Sequence, residues 1–150
     1  MRKIIVDTSC LIILSKIKEL PLLKLLYGEV LITDTIAKEF DEPLPDWIIV
    51  YPIKLNEKEF VYEKRIDKGE ASAIMLALEI PNSTIIIDDF KGRALAKELG
   101  LKVTGTMGVI ISAKNKKLIP RIKPILEKIK ETNFYISKAL ENEALGLAEE

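Results

Sequence analysis

Five acidic side chains sit where a parallel α/β fold would gather them. Asp7 follows the apolar run Lys3–Val6, and Asp88 and Asp89 follow Ile85, Ile86 and Ile87. An acid placed directly after an apolar strand costs desolvation free energy unless something satisfies it. Glu70 opens the segment GEASAIMLALE, where a helix dipole favours negative charge. Glu39 lies about one and a half turns into the helix that follows a second strand. Four or five converging carboxylates repel one another, so such a cluster persists only with some acids protonated or with a cation between them. Hard divalent ions take all-oxygen ligands, and Mg²⁺ keeps several waters beside a few carboxylates. One or two such ions activate water in phosphodiester hydrolysis.

Each acid also has an ordinary reading. Asp7 is placed to cap the next helix, Glu39 to face solvent, and Glu70 to interact with a helix dipole. One of Asp88 and Asp89 suits an N-cap, and so does Asp67. The joint pattern is what points to a metal site.

Composition removes the competing chemistries. The 150-residue chain has no histidine, which excludes a Ser-His-Asp triad, a Cys-His pair and a His-ligated zinc site. Its single cysteine, Cys10, excludes an intrachain disulfide and a thiolate zinc cluster, and reads as a small buried apolar residue. Catalysis is therefore left to carboxylates, hydroxyls, lysine, arginine or a bound ion. No apolar stretch approaches about 20 residues, so no membrane span is expected. The start MRKIIVDTS reads as a strand rather than a secretory signal, which makes the cytoplasm the expected compartment. Abundant Lys, Glu and Ile without Gln hint at a thermophile.

The elements that must carry these acids alternate along the chain. Strands are expected at Lys3–Val6, Val30–Thr33, within Trp47–Ile53, at Thr84–Ile87 and at Leu101–Thr104. The first helix has Thr8 or Ser9 as cap, and a second opens at Pro21 and stops at Gly28. Asp34 is the expected cap of the third. Asn56 and Glu59 resemble a capping box for a helix near 57–65. Further helices are expected after Asp67, over Arg93–Leu99 with Gly100 at its end, and at about 106–115, 120–131 and 137–147. Strand–helix alternation of this kind predicts a three-layer α/β/α sandwich with a central parallel sheet of four to five strands. The length suits one domain over 1–150, with the C-terminal helices of about 120–148 as an appended cap. Part of the apolar stretch 11–26 is open to a dimer face.

Four segments in this order resemble the PIN-domain ribonuclease family: IIVDTSCLIILSKI (4–17), VLITDTIAKEF (30–40), DKGEASAIMLALE (67–79) and IIIDDFKGRALAKELGLKVTGTMGVIISAKNKKLI (85–119). The nearest likeness is to a prokaryotic branch related to VapC-type toxins. The resemblance implies a Mg²⁺- or Mn²⁺-dependent endoribonuclease acting on single-stranded RNA, paired with a small antitoxin protein and forming a homodimer. It maps Asp7, Glu39, Glu70 and Asp89 onto the family's four acids, with Asp88 a neighbouring candidate for the last. Asp7, Glu70 and Asp88 or Asp89 are the implied metal ligands. Thr8, Ser9 and Thr106 match supporting hydroxyl positions. At position 70 many relatives carry Asp, so Glu70 lengthens that arm by one methylene. The alternatives are a non-catalytic binding or regulatory module on the same fold, and a metal-dependent DNA nuclease.

Net charge is zero, with 23 Lys and Arg against 23 Asp and Glu. The distribution is uneven, since residues 102–138 hold nine basic side chains against two acids. Lys114, Lys116 and Lys117 are expected to reach substrate phosphates beside the site. Lys91 and Arg93, just after Asp89, are the other expected substrate contacts.

Overall fold

Short runs of β-branched residues build the sheet. β1 (Lys3–Val6), β2 (Val30–Thr33), β3 (Ile48–Tyr51), β4 (Ser83–Ile86) and β5 (Lys102–Thr104) are three or four residues each. The computed structural model describes residues 2–53 and 62–150. The five strands form one parallel sheet in the order β3-β2-β1-β4-β5. β2 and β4 are buried at every position, as central strands covered on both faces must be.

Eight helices are described: α1 (Thr8–Lys16), α2 (Pro21–Tyr27), α3 (Asp34–Phe40), α4 (Lys68–Glu79), α5 (Phe90–Glu98), α6 (Thr106–Asn115), α7 (Lys123–Lys130) and α8 (Lys138–Leu147). The architecture is the expected α/β sandwich with a central parallel sheet. The helix expected near 57–65, with Asn56 and Glu59, lies mostly outside the described residues. Gly28 and Gly100 end α2 and α5 with φ of +78° and +79°, a backbone region that suits glycine. Cys10 is fully buried, and Trp47 packs partly buried against the core.

α4 decides where the site is. Its small residues Ala71, Ser72 and Ala73 are fully buried, which lets it lie close against β1, β2 and β4. α3 touches both α1 and α4. A buried chain of hydroxyls fixes that junction. The Ser72 hydroxyl donates to the Gly69 carbonyl at 2.7 Å. Its one proton is thereby used, so the Thr33 hydroxyl, 2.7 Å away, is the donor to Ser72. Thr33 in turn accepts from the Ile36 N–H at 3.1 Å and caps α3.

Two caps differ from expectation. Thr33, not Asp34, caps α3, because its hydroxyl is anchored by Ser72, while Asp34 accepts from the Ile53 N–H at 3.2 Å. Asp7, not Thr8 or Ser9, is the N-cap residue of α1, and its side chain makes no capping bond.

Ser72→Ala leaves the Thr33 hydroxyl proton without its acceptor inside the protein, while the Gly69 carbonyl keeps its helical partner. It is expected to lower stability by about 1–3 kcal/mol, measured as a lower urea midpoint at unchanged slope. A variant as stable as the parent would show that the chain of hydroxyls does not hold α3 to α4.

Candidate active site

The sheet changes direction at β1. β2 and β3 lie on one side of it, and β4 and β5 on the other. Such a reversal opens a crevice at the carboxyl ends of the two strands that part there. Val6 pairs with Ile86, and the Asp7 N–H donates to the Ile86 carbonyl at 3.1 Å. On the other side the Ile87 N–H donates to the Thr104 carbonyl at 2.9 Å. The ladder thus continues one residue past each strand, and Asp7 and Asp88 leave it side by side.

Each carboxylate in the crevice has its own anchor. Glu39, on α3, accepts from the Thr8 hydroxyl at 2.9 Å. A Cβ at position 69 would collide with that same Glu39 carboxylate, so a glycine in the first turn of α4 makes room for it. Glu70 Oε1 accepts from the Asp67 N–H at 3.3 Å, and Asp67 and Glu70 form a capping box on α4. Glu70 Oε2 is buried with no partner among the described residues. It lies against Gly92, where a Cβ would stand only 2.5 Å from it. Asp88 is held by Thr106, whose N–H and hydroxyl donate to its two oxygens at 2.7 and 2.5 Å. Asp89 is exposed and caps α5, with Oδ2 accepting from the Lys91 and Gly92 N–H groups at 3.0 and 3.2 Å.

Asp7, Glu39, Asp67, Glu70, Asp88 and Asp89 together line a cavity of about 470 Å³, with Thr8, Ser9, Ile12 and Phe134 beside them. Among the described residues no basic side chain lines it. The electrostatic consequence is concentrated on two groups. Burial pushes Asp7 up from 3.8 to about 7, opposed by the Thr8 N–H and reinforced by Glu70, Glu39 and Asp88. Burial also raises Glu70 from 4.5 to about 7, with Asp89, Asp67 and Glu39 adding to the effect and the Asp67 N–H opposing it.

Among the described residues no three acids are already arranged to hold a metal ion. Thr8, Thr106 and the Asp67 N–H each hold one of Glu39, Asp88 and Glu70 by a hydrogen bond. The donor chemistry nonetheless fits a hard divalent cation. It is all oxygen, it includes the unpartnered Glu70 Oε2, and an ion that keeps several waters needs few protein ligands.

All the acids anticipated from sequence thus line one crevice, as do Thr8 and Ser9, while buried Thr106 stands behind it bonded to Asp88. The pairing of Asp88 with Asp7 and of Asp89 with Glu70 puts the two neighbouring acids on different flanks of it. The cap expected of one member is made by Asp89.

The basic residues behave differently. Arg93 does not face the crevice as a free cation, since it donates to the Ile87 carbonyl at 3.0 Å and braces the turn before Asp88. Lys114 lies eight residues beyond Thr106 on α6, about 12 Å along that helix, and bonds the Ala148 carbonyl. Lys116 and Lys117 follow it, so this basic run leads away from the acids. Lys91 is exposed and borders a neighbouring groove with Asp89 and Glu70. Phe134, from the segment between α7 and α8, was not anticipated in the site. Gly69 was not either, although a glycine inside a helix costs stability and so signals a need for space.

Residues 3–150 match a family model described as a PIN domain. No curated protein and no solved structure matches the chain. Among the described residues no helix is long and apolar enough to cross a membrane.

The raised Asp7 value has a thermodynamic sign. The folded state binds this proton more tightly than the unfolded chain, so stability falls as pH rises from about 4 to about 7 and the loss is complete above that. The rise corresponds to at most about 4 kcal/mol. In chelator at pH 8, Asp7→Asn is therefore expected to raise the thermal midpoint by roughly 3–8 °C, and the gain should vanish near pH 4. An Asn variant no more stable than the parent at pH 8 would contradict the strain assigned to Asp7.

Proposed function

Since the chain belongs to the PIN-domain family, whose members are generally nucleases, we propose that it is a metal-dependent endoribonuclease that hydrolyses phosphodiester bonds of single-stranded RNA. The observation that carries this reading is the crevice of six carboxylates without a base among the described residues. A site of that charge repels a phosphodiester unless a cation joins it, and histidine chemistry is absent from the chain.

Mg²⁺ or Mn²⁺ is the cation of this reading. Asp7, Glu70 and the acids Asp88 and Asp89 would hold it, with Glu39 assisting. Bound there, such an ion supplies positive charge against the phosphate and makes water more acidic at neutral pH. The protein's own contribution is placement. Thr106 fixes Asp88, Thr8 fixes Glu39, and the Asp67 N–H orients Glu70 so that one oxygen stays unpartnered. In the ion-free site burial raises Asp7 and Glu70 to about 7, so an ion held by them would displace protons on binding.

The single-stranded substrate is supported by the rim. Phe90 follows Asp89 and is 84 % exposed, and Lys91 is beside it. A bare aromatic ring stacks on a base of any identity, and a cation meets the backbone. A toxin role, with a small protein antitoxin and a second copy of the chain as partners, belongs to the same reading. It is supported by the resemblance of the four segments to VapC-type toxins.

Purified protein is expected to cleave single-stranded RNA in Mn²⁺ or Mg²⁺ and not in chelator, and Asp7→Asn to lower the rate at least about 100-fold. Equal cutting by the variant, or no cutting with either ion, would refute the proposal. Preference for DNA of the same sequence would transfer it to a DNA nuclease.

A further inference from the structure

A second cavity lies over the sheet toward the amino ends of its strands, the opposite end from Asp7. It has a volume of about 780 Å³, within the range of small-molecule sites. Its floor is a row set by strand register, with Ile4 paired to Thr84 and Thr84 to Lys102. α2 and α6 stand over it, contributing Tyr27 and Ser112.

Two independent observations mark it as built for a ligand. The first is Thr84. Only 8 % of it is exposed, its hydroxyl is buried without a partner among the described residues, and it lines the cavity. A buried hydroxyl left unpaired calls for an explanation, because valine would fill the same volume at no polar cost. The second is charge. Arg2, Lys3, Lys102 and Lys116 surround the cavity, with Glu29 the one acid among the described residues that line it. None of these four side chains is ion-paired or hydrogen-bonded among the described residues. Elsewhere basic side chains do find acids, as Lys128 does with Glu19 and Lys130 with Glu141. Four such cations against one acid favour an anion.

The lining also describes the rest of that anion. Hydroxyls of Thr84, Thr104 and Ser112 are donors for phosphate oxygens, and ammonium and guanidinium groups bind phosphate through charge-assisted bonds. Leu26, Tyr27 and Val103 offer apolar surface for an attached ring. We propose that this cavity binds a nucleotide-sized phosphate monoester, with Thr84, Lys102 and Lys116 holding the phosphate. The site needs no metal and does not depend on the nuclease reading.

The test is a calorimetric titration of the full chain in chelator, with adenosine monophosphate and adenosine as the two probes. The monophosphate is expected to bind with Kd below about 1 mM, and adenosine at least about tenfold more weakly. Lys102→Ala with Lys116→Ala should weaken the monophosphate at least about tenfold. Thr84→Val should also weaken it, yet raise the thermal midpoint of the ligand-free protein, because it removes an unsatisfied hydroxyl. Asp7→Asn should leave binding unchanged. The proposal is overturned by no saturable binding up to about 10 mM, by equal binding of adenosine, by equal binding to the double variant, or by loss of binding in Asp7→Asn.

Discussion

Asp7 is a carboxylate with 5 % of its surface exposed, at the end of the central strand, and three further acids raise its proton affinity. The structure around it is arranged to keep those acids close without letting them touch. Thr8 takes Glu39, Thr106 takes Asp88, and the Asp67 N–H takes Glu70. The hydroxyl chain through Thr33 and Ser72 sets α3 against α4, and so sets Glu39 relative to Glu70. Glycines at 69 and 92 leave space where any side chain would push a carboxylate aside. Burial of negative charge is thus the cost around which these contacts are organised, and a cation bound there would offset it.

The balanced formal charge conceals a separation across the sheet. Among the described residues, the carboxyl ends of the strands open on six acids without a base, and the amino ends open on four unpaired cations with one acid. α6 connects the two ends. It begins at Thr106, which orients Asp88, and is followed by Lys116 at the opposite cavity. One helix therefore serves both charge sets, and Lys116 just after its end belongs to the second.

The parts legible in the sequence were those governed by local pattern. Runs such as VLIT and STII can only be buried strands, and an acid immediately after such a run falls at the carboxyl edge of a parallel sheet. Asp7, Asp88 and Asp89 were therefore placed correctly, and Glu70 followed from its position at the start of a small-residue helix. What failed depended on direction and on long-range partners. Lys114 is near Thr106 in sequence, but a helix carries it about 12 Å away. Arg93 is near Asp88, but a free carbonyl at Ile87 captures it. Asp34 looked a better cap than Thr33 until Ser72, 39 residues away, supplied the anchor. Phe134 reaches the site from a segment whose sequence carries no recognisable signal.

The central claim is that the crowded acids at the end of β1 take up a divalent cation and give up protons in doing so. Calorimetric titration of Mn²⁺ at pH 7, repeated in buffers of different ionisation enthalpy, measures both at once. Burial raises Asp7 and Glu70 to about 7 in the ion-free protein, so filling the site should release protons, with the release reduced in Asp7→Asn. Saturable binding without proton release, identical titrations of parent and variant, or no binding would contradict the account.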